Sequence, residues 1–137
     1  TDPGSSFDPE AWTQANPDGP ILKPERPWEG DCIEAPALCA HGGRLFMWYG
    51  GAWNASPQQL GCAVSEDGVR WERLGQEPWL PCGEPGSWNQ HESGHPGVYT
   101  APGGEHHLFY QGTGDRGHTW WIPRRRIKWE QGQPVPG

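Results

Sequence analysis

The sequence predicts an all-β fold of short antiparallel strands, and three observations carry that prediction. Of 137 residues, 21 are Gly and 16 are Pro. Pro removes an amide donor and Gly costs entropy inside a regular element, so long helices are disfavoured and short strands joined by turns are favoured. Hydrophobic residues make up only 33%, yet ten residues are Trp, which gives a core of few, large pieces. The third observation is an internal repeat within a chain of single-domain length.

The stretch PWEGDCIEAPAL (27–38) lies over SWNQHESGHPGV (87–98), with Trp28 and Pro36 eight apart, as are Trp88 and Pro96. Further on, AHGGRLFMWYGG (40–51) lies over APGGEHHLFYQG (101–112), with one extra residue in the second copy. WTQANPDGPIL (12–22), WERLGQEPWL (71–80) and WEQGQPV (129–135) each run Trp, polar linker, Pro, apolar. The units are about sixty residues apart, a spacing typical of array folds.

Each unit predicts an extended first strand (Ala35–Ala40; His95–Thr100). A Gly-Gly hairpin turn follows (Gly42-Gly43; Gly103-Gly104). The second strand, Arg44–Trp48 or His106–Tyr110, is a continuous apolar run of the kind buried on both faces. In the first unit a third strand (Leu60–Ser65) and a fourth (Val69–Leu74) flank the turn Glu66-Asp67-Gly68. Four antiparallel strands, repeated, is the logic of a β-propeller blade, here about two blades per chain. Recurrence of Trp, Pro and Gly-Gly in register weighs for blades over a β-sandwich with accidentally similar halves. The expected organisation is a tail and strand completing a blade (1–27), then units at 28–87 and 88–137, forming one structural domain.

Two turns support this reading. SEDGVRW (65–71) puts Asp-Gly before a Trp-bearing strand, and TGDRGHTW (113–120) follows the Asp-box pattern found in sialidase-like propellers. In such turns the Asp carboxylate accepts amide hydrogen bonds, Gly takes positive φ and Trp packs between blades. Asp67 and Asp115 are therefore structural rather than catalytic.

The formal charge of −7 argues against a nucleic-acid partner. Arg124, Arg125, Arg126 and Lys128 form one local exception, read as a solvated strand end with anion binding as the alternative. No apolar run approaches the ~20 residues of a membrane helix, so a soluble protein without a membrane partner is expected. The N-terminal TDPGSSFDPE says nothing about targeting. Cys32, Cys39, Cys62 and Cys82 show neither C-x-x-C spacing nor disulfide-scaffold density, and Cys32 and Cys39 read as free thiols beside an apolar strand.

The series IEAPAL, GRLFMWYGG, LGCAVSEDGVRW and EPWL resembles blades of the five-bladed furanosidase-type propellers. These are the family-43 glycoside hydrolases and their neighbours, inverting or retaining enzymes that cleave arabinose, xylose, fructose or mannose linkages. The resemblance spans about residues 12 to 135 and lies in the Glu-Ala-Pro opening, the Tyr-Gly-Gly end and the Ser-x-Asp-Gly-x-x-Trp turn. It implies a carbohydrate-active module with no cofactor. In that family the Glu of a Glu-Ala/Gly/Cys-Pro motif is the general acid at the axis-facing end of its blade, and Glu34 matches it. A general acid must hold its proton near neutral pH, through partial burial or a neighbouring negative charge. Asp31, three residues earlier, is the candidate for that charge. The alternative for Glu34 is to cap the inner strand's start.

In the second unit Glu34 aligns with Gly94, while His91, Glu92 and His95 lie close by. Alternate residues of a strand share a face, so His91 and His95 are expected to point together toward the axis. Positioning a substrate hydroxyl, metal binding and ordinary strand-end placement all remain open. Substrate binding is the assignment made for these three, and no metal is expected, since three or four convergent ligands are needed. Trp53 and Trp88 lie in polar stretches and are candidates for stacking on sugar faces. Trp48, Tyr49 and Tyr110 read as packing between blades.

Glycoside hydrolysis needs two carboxylates. Asp2-Pro3 and Asp8-Pro9 both fall in the N-terminal tail, so no base-bearing motif accompanies Glu34. A full five-bladed enzyme needs roughly twice this length. Two blades would leave outer apolar faces uncovered, so self-association is expected, as a homodimer or higher ring. The alternative is a piece of a longer gene product. A non-catalytic sugar-binding or interaction module is the second functional expectation.

Overall fold

The computed structural model describes Glu10 and residues 13–136. Trp12 and both Asp-Pro pairs of the tail lie outside the described residues. The strands are β1 (Ile33–His41), β2 (Arg44–Gly51), β3 (Gln59–Ser65), β4 (Glu72–Arg73), β5 (Glu92–Thr100), β6 (His106–Thr113), β7 (Arg124–Glu130) and β8 (Gln133–Pro136). They form two four-stranded sheets, ordered β1-β2-β3-β4 and β5-β6-β7-β8, and every neighbouring pair is antiparallel. The fold is all-β and propeller-like, as the sequence predicts.

The elements differ from expectation where side chains compete for backbone amides. The fourth strand shrinks from Val69–Leu74 to two residues because Asp67 Oδ1 accepts the amides of Val69 and Arg70, each at 2.8 Å. Those amides are then lost to the ladder. No strand forms over residues 13–26, where Pro17, Pro20 and Pro24 supply no donors. Both sheets reach four strands without it. Arg124–Lys128 is not a strand end but the body of β7, where alternation buries Ile127 and leaves Arg124, Arg126 and Lys128 outside.

The core follows from the pleat. Along β2, Phe46 and Trp48 point to one face and Met47 and Tyr49 to the other, and all four are buried. The first face joins Leu60 and Cys62 with Leu108, Tyr110 and Ile127 of the second sheet in one cluster. The second face gathers Ala63, Leu22, Trp28, Ile33 and Trp71. In β6 His106, Leu108, Tyr110, Gly112 and Thr113 are buried, while His107, Phe109 and Gln111 between them are not. Phe109 is 37% exposed, so the expectation that this strand is buried on both faces is wrong. Its other face carries His107, Phe109 and Gln111, of which Phe109 is exposed and the other two half-buried.

The two sheets share construction devices. Trp28 lies against Tyr49 with ring centroids 6.1 Å apart, and Trp88 against Tyr110 at 6.2 Å. A Cβ at Gly51 would collide with the Trp28 ring, and one at Gly112 with the Trp88 ring. The Asp turns also match. Ser65 Oγ accepts the amide of Gly68 at 2.8 Å, and Thr113 Oγ1 that of Gly117 at 3.0 Å. Asp115 accepts the amide of Thr119 at 2.8 Å. The Thr119 amide, with the Thr119 and Thr113 hydroxyls, holds the Asp115 carboxyl down at about 2. Trp120, however, is exposed against Gly117 instead of packing between sheets, because its turn lays the ring back over the glycine.

A buried carboxylate fastens residues 23–29 to the first sheet. Glu29 follows the 3-10 turn's proline and is fully buried. It accepts the Tyr49 hydroxyl at 2.7 Å, Arg73 Nε at 2.7 Å, and the amides of Glu25 and Arg26 at 2.7 and 3.0 Å. Burial opposes its ionisation, but the bonds from Arg73, the two amides and Tyr49 outweigh it and hold the carboxyl below its ordinary 4.5. Burial, with the charge of Glu29, pushes the Tyr49 hydroxyl up.

Removing Glu29 strands a buried Arg73, so Glu29→Ala is expected to cost about 3–5 kcal/mol in urea unfolding. Because the folded value is depressed, this contribution is whole above pH 4.5 and is lost as pH falls below it. Wild type should therefore lose stability below that pH more steeply than Glu29→Gln. Equal slopes would remove Glu29 from this role.

Candidate functional site

The first strands of the two sheets, β1 and β5, lie side by side. Each carries the same irregularity near its start. The register slips between Glu34 and Ala37 in β1, and between Gly94 and Gly97 in β5. The residue before proline takes positive φ in both, 52° at Ala35 and 46° at His95. Non-glycine residues seldom adopt this conformation, and such bulges re-aim the neighbouring side chains.

The side chains gathered at this junction are Glu34, Gln58, Glu92, His95 and Gln111. Gln58, fully buried, donates from Nε2 to Glu34 Oε1 at 2.8 Å and to the Ala52 carbonyl at 3.0 Å. Its Oε1 accepts the His95 amide at 3.1 Å. Gln111 Nε2 lies 2.6 Å from Glu92 Oε1 and 2.8 Å from His95 Nδ1. The other oxygen of Glu92 accepts the Ala55 amide at 2.7 Å. The His95 ring thus stands between two carboxylates, its Nε2 3.6 Å from Glu34 and its Nδ1 3.7 Å from Glu92. Glu34 and His95 are about one-third exposed, 35% and 36%, whereas Glu92 is sealed. Glu34 also borders a shallow apolar recess of about 160 Å³ with Ile21, Leu22, Ile33 and Met47.

Glycines clear the space for this junction. A Cβ at Gly94 would collide with Gln58 Oε1, and one at Gly50 would come within 2.9 Å of the Gln58 amide. Hence the second sheet carries Gly94 where the first carries Glu34. Two thiols flank the site. Burial pushes Cys82 up to about 11, and burial with the Glu34 charge raises Cys32. All four cysteines are free. Among the described residues no group of three or more His, Cys, Asp or Glu is arranged to hold a metal ion. No helix among them is long and apolar enough to cross a membrane.

No protein-family model matches the sequence, and no curated protein matches it. Solved structures do. A thermostable family-43 glycoside hydrolase superposes with a TM-score of 0.71 at 26% identity, over 86% of this chain and 41% of its own. An endo-1,4-beta-xylanase from Bacteroides thetaiotaomicron matches at TM-score 0.70 and 17% identity, over 85% and 42%. An alpha-L-arabinofuranosidase from Lactobacillus brevis matches at 0.68 and 19%, over 85% and 40%. The last two bear on the fold alone. The chain is a partial structural relative of the family-43-type propeller glycosidases. It spans about two-fifths of the length of the chains it matches.

In this partial propeller, Glu34, Glu92 and His95 come together, and Asp31 and His91 do not join them. Asp31 is exposed in the turn before β1, with no hydrogen bond or ion pair to any of the described residues. The bulge breaks the alternation expected to align His91 with His95. His91 instead bonds the Gly114 carbonyl through Nδ1 at 2.9 Å. Trp53 is 60% exposed on a loop tied down at Ala52 by Gln58 and at Ala55 by Glu92. Trp88 is 42% exposed and rests on Tyr110.

Sequence reading missed Gln58 and Gln111. A signal existed for the second: aligned on the tyrosine, Tyr-Gly-Gly in β2 becomes Tyr-Gln-Gly in β6, so Gln111 replaces Gly50. Gln58 had no counterpart to mark it.

Gly94→Ala should force Gln58 from its slot and cost about 1–3 kcal/mol of stability, measured by chemical unfolding. Gly97→Ala, where open space surrounds the Cβ, is the control and should be close to neutral. Equal effects would contradict the steric account.

Proposed function

We propose that this chain is a carbohydrate-active module that takes part in glycosidic-bond hydrolysis, with Glu34 as general acid. The observation that carries this reading is the position of Glu34. It is a carboxyl at a strained bulge on the innermost strand, one oxygen anchored by Gln58 and the group still open to solvent. Its relatives' activities support the substrate class, and exposed Trp53 supports sugar stacking beside it. The acid would protonate the leaving-group oxygen as the glycosidic bond breaks.

Hydrolysis also needs a second carboxylate able to act on water or on the sugar. Glu92 is fully buried and its oxygens are taken by Gln111 and Ala55, so it does not fill that role. This favours a second reading, a non-catalytic sugar-binding or oligomeric interaction module. In the hydrolytic reading the missing carboxylate comes from another subunit or another part of a longer chain. Self-association is the simplest source, and the half-exposed Tyr99 and Phe109 of the second sheet offer a surface for it.

Assays on aryl furanosides and pyranosides should show turnover that Glu34→Gln lowers by about 10²–10⁴-fold. Turnover indifferent to Glu34 removes the mechanism, and glycan binding without turnover favours the second reading. Light scattering should show a concentration-dependent dimer or larger ring. A monomer at every concentration contradicts self-association.

A further inference from the structure

We propose that His95 is a positioning residue for Glu34, locked by Gln111 as the Nε2–H tautomer, so that donors converge on Glu34 Oε1 and Oε2 becomes the proton-carrying oxygen. The last clause rests on the reading of Glu34 as general acid. The tautomer does not.

The argument starts at Glu92. With Glu92 ionised its buried carboxylate only accepts hydrogen bonds, so the Gln111 atom 2.6 Å from it is the amide nitrogen rather than the carbonyl oxygen. That nitrogen has two hydrogens and no acceptor capacity. Its second hydrogen points to His95 Nδ1 at 2.8 Å, which must therefore be bare. A neutral imidazole with bare Nδ1 carries its proton on Nε2. Nε2 faces Glu34 Oε1 at 3.6 Å, an electrostatic neighbour rather than a full hydrogen bond.

Gln58 converges on the same oxygen. Both neighbours of its Nε2, Glu34 Oε1 and the Ala52 carbonyl, are acceptors, and its Oε1 receives the His95 amide, so its orientation is fixed too. A proton on Glu34 Oε1 would confront two N–H groups, whereas Oε2 meets no hydrogen-bonding partner among the described residues. Glu92 then acts at one remove. It orients Gln111, which sets the His95 tautomer, as outer groups orient working histidines elsewhere.

Long-range proton–nitrogen correlation on the full chain near pH 7.5 reads the tautomer directly. The expected spectrum shows His95 protonated at Nε2 and bare at Nδ1, and Gln111→Met should lose that single state. An Nδ1–H form or a mixture in wild type overturns the proposal, whether or not the variant folds. For turnover, His95→Asn, which suits positive φ, should lower kcat about 10–100-fold with KM kept. Unchanged kcat in a protein that depends on Glu34 also overturns it. Turnover indifferent to Glu34 would instead sink the general-acid reading and leave the spectrum to decide the tautomer.

Discussion

A buried amide must satisfy two donors and an acceptor, and Gln58 can do so only where β1, β5 and the loop after β2 meet. Its side chain reaches Glu34 on one strand, the backbone of His95 on the other and the carbonyl of Ala52 in the loop. Its own carbonyl accepts the Ser93 amide at 2.9 Å and faces the Cys82 thiol at 3.3 Å. A group so enclosed is costly if any partner leaves, which makes the junction of the two sheets and the shape of the site one problem.

The two sheets share several devices, and the site lies where they differ. Trp over Tyr, the Ser/Thr-Asp turn and the bulge before proline occur in both. Against that background Glu34 faces Gly94, Ala35 faces His95 and Gly50 faces Gln111. At Gly94 and Gly50 the missing side chain also clears space for Gln58. The shared bulge explains why function could collect here, since it already turns side chains out of the pleat.

Much of the fold was legible because hairpins write strong local signals. The Gly-Gly turns and the continuous apolar run of β2 located β1, β2, β5 and β6 to within a few residues. The outer strands were less legible, because β4 depends on how many amides Asp67 captures and β7 hides Ile127 among arginines. Within the site, Glu34 stood out through the resemblance of its Glu-Ala-Pro motif and His95 through self-comparison. The failed pairing of His91 with His95 came from assuming an unbroken period of two across a bulge. Gln58 was illegible: a glutamine after proline reads as loop, and only long-range contacts bury it.

The central claim is that Gln58 and Glu34 are energetically one unit spanning the junction. A double-mutant cycle on unfolding free energy, with Gln58→Ala, Glu34→Ala and the pair, measures it directly. The account predicts a coupling energy of about 0.5–3 kcal/mol. Strict additivity of the two substitutions would contradict it.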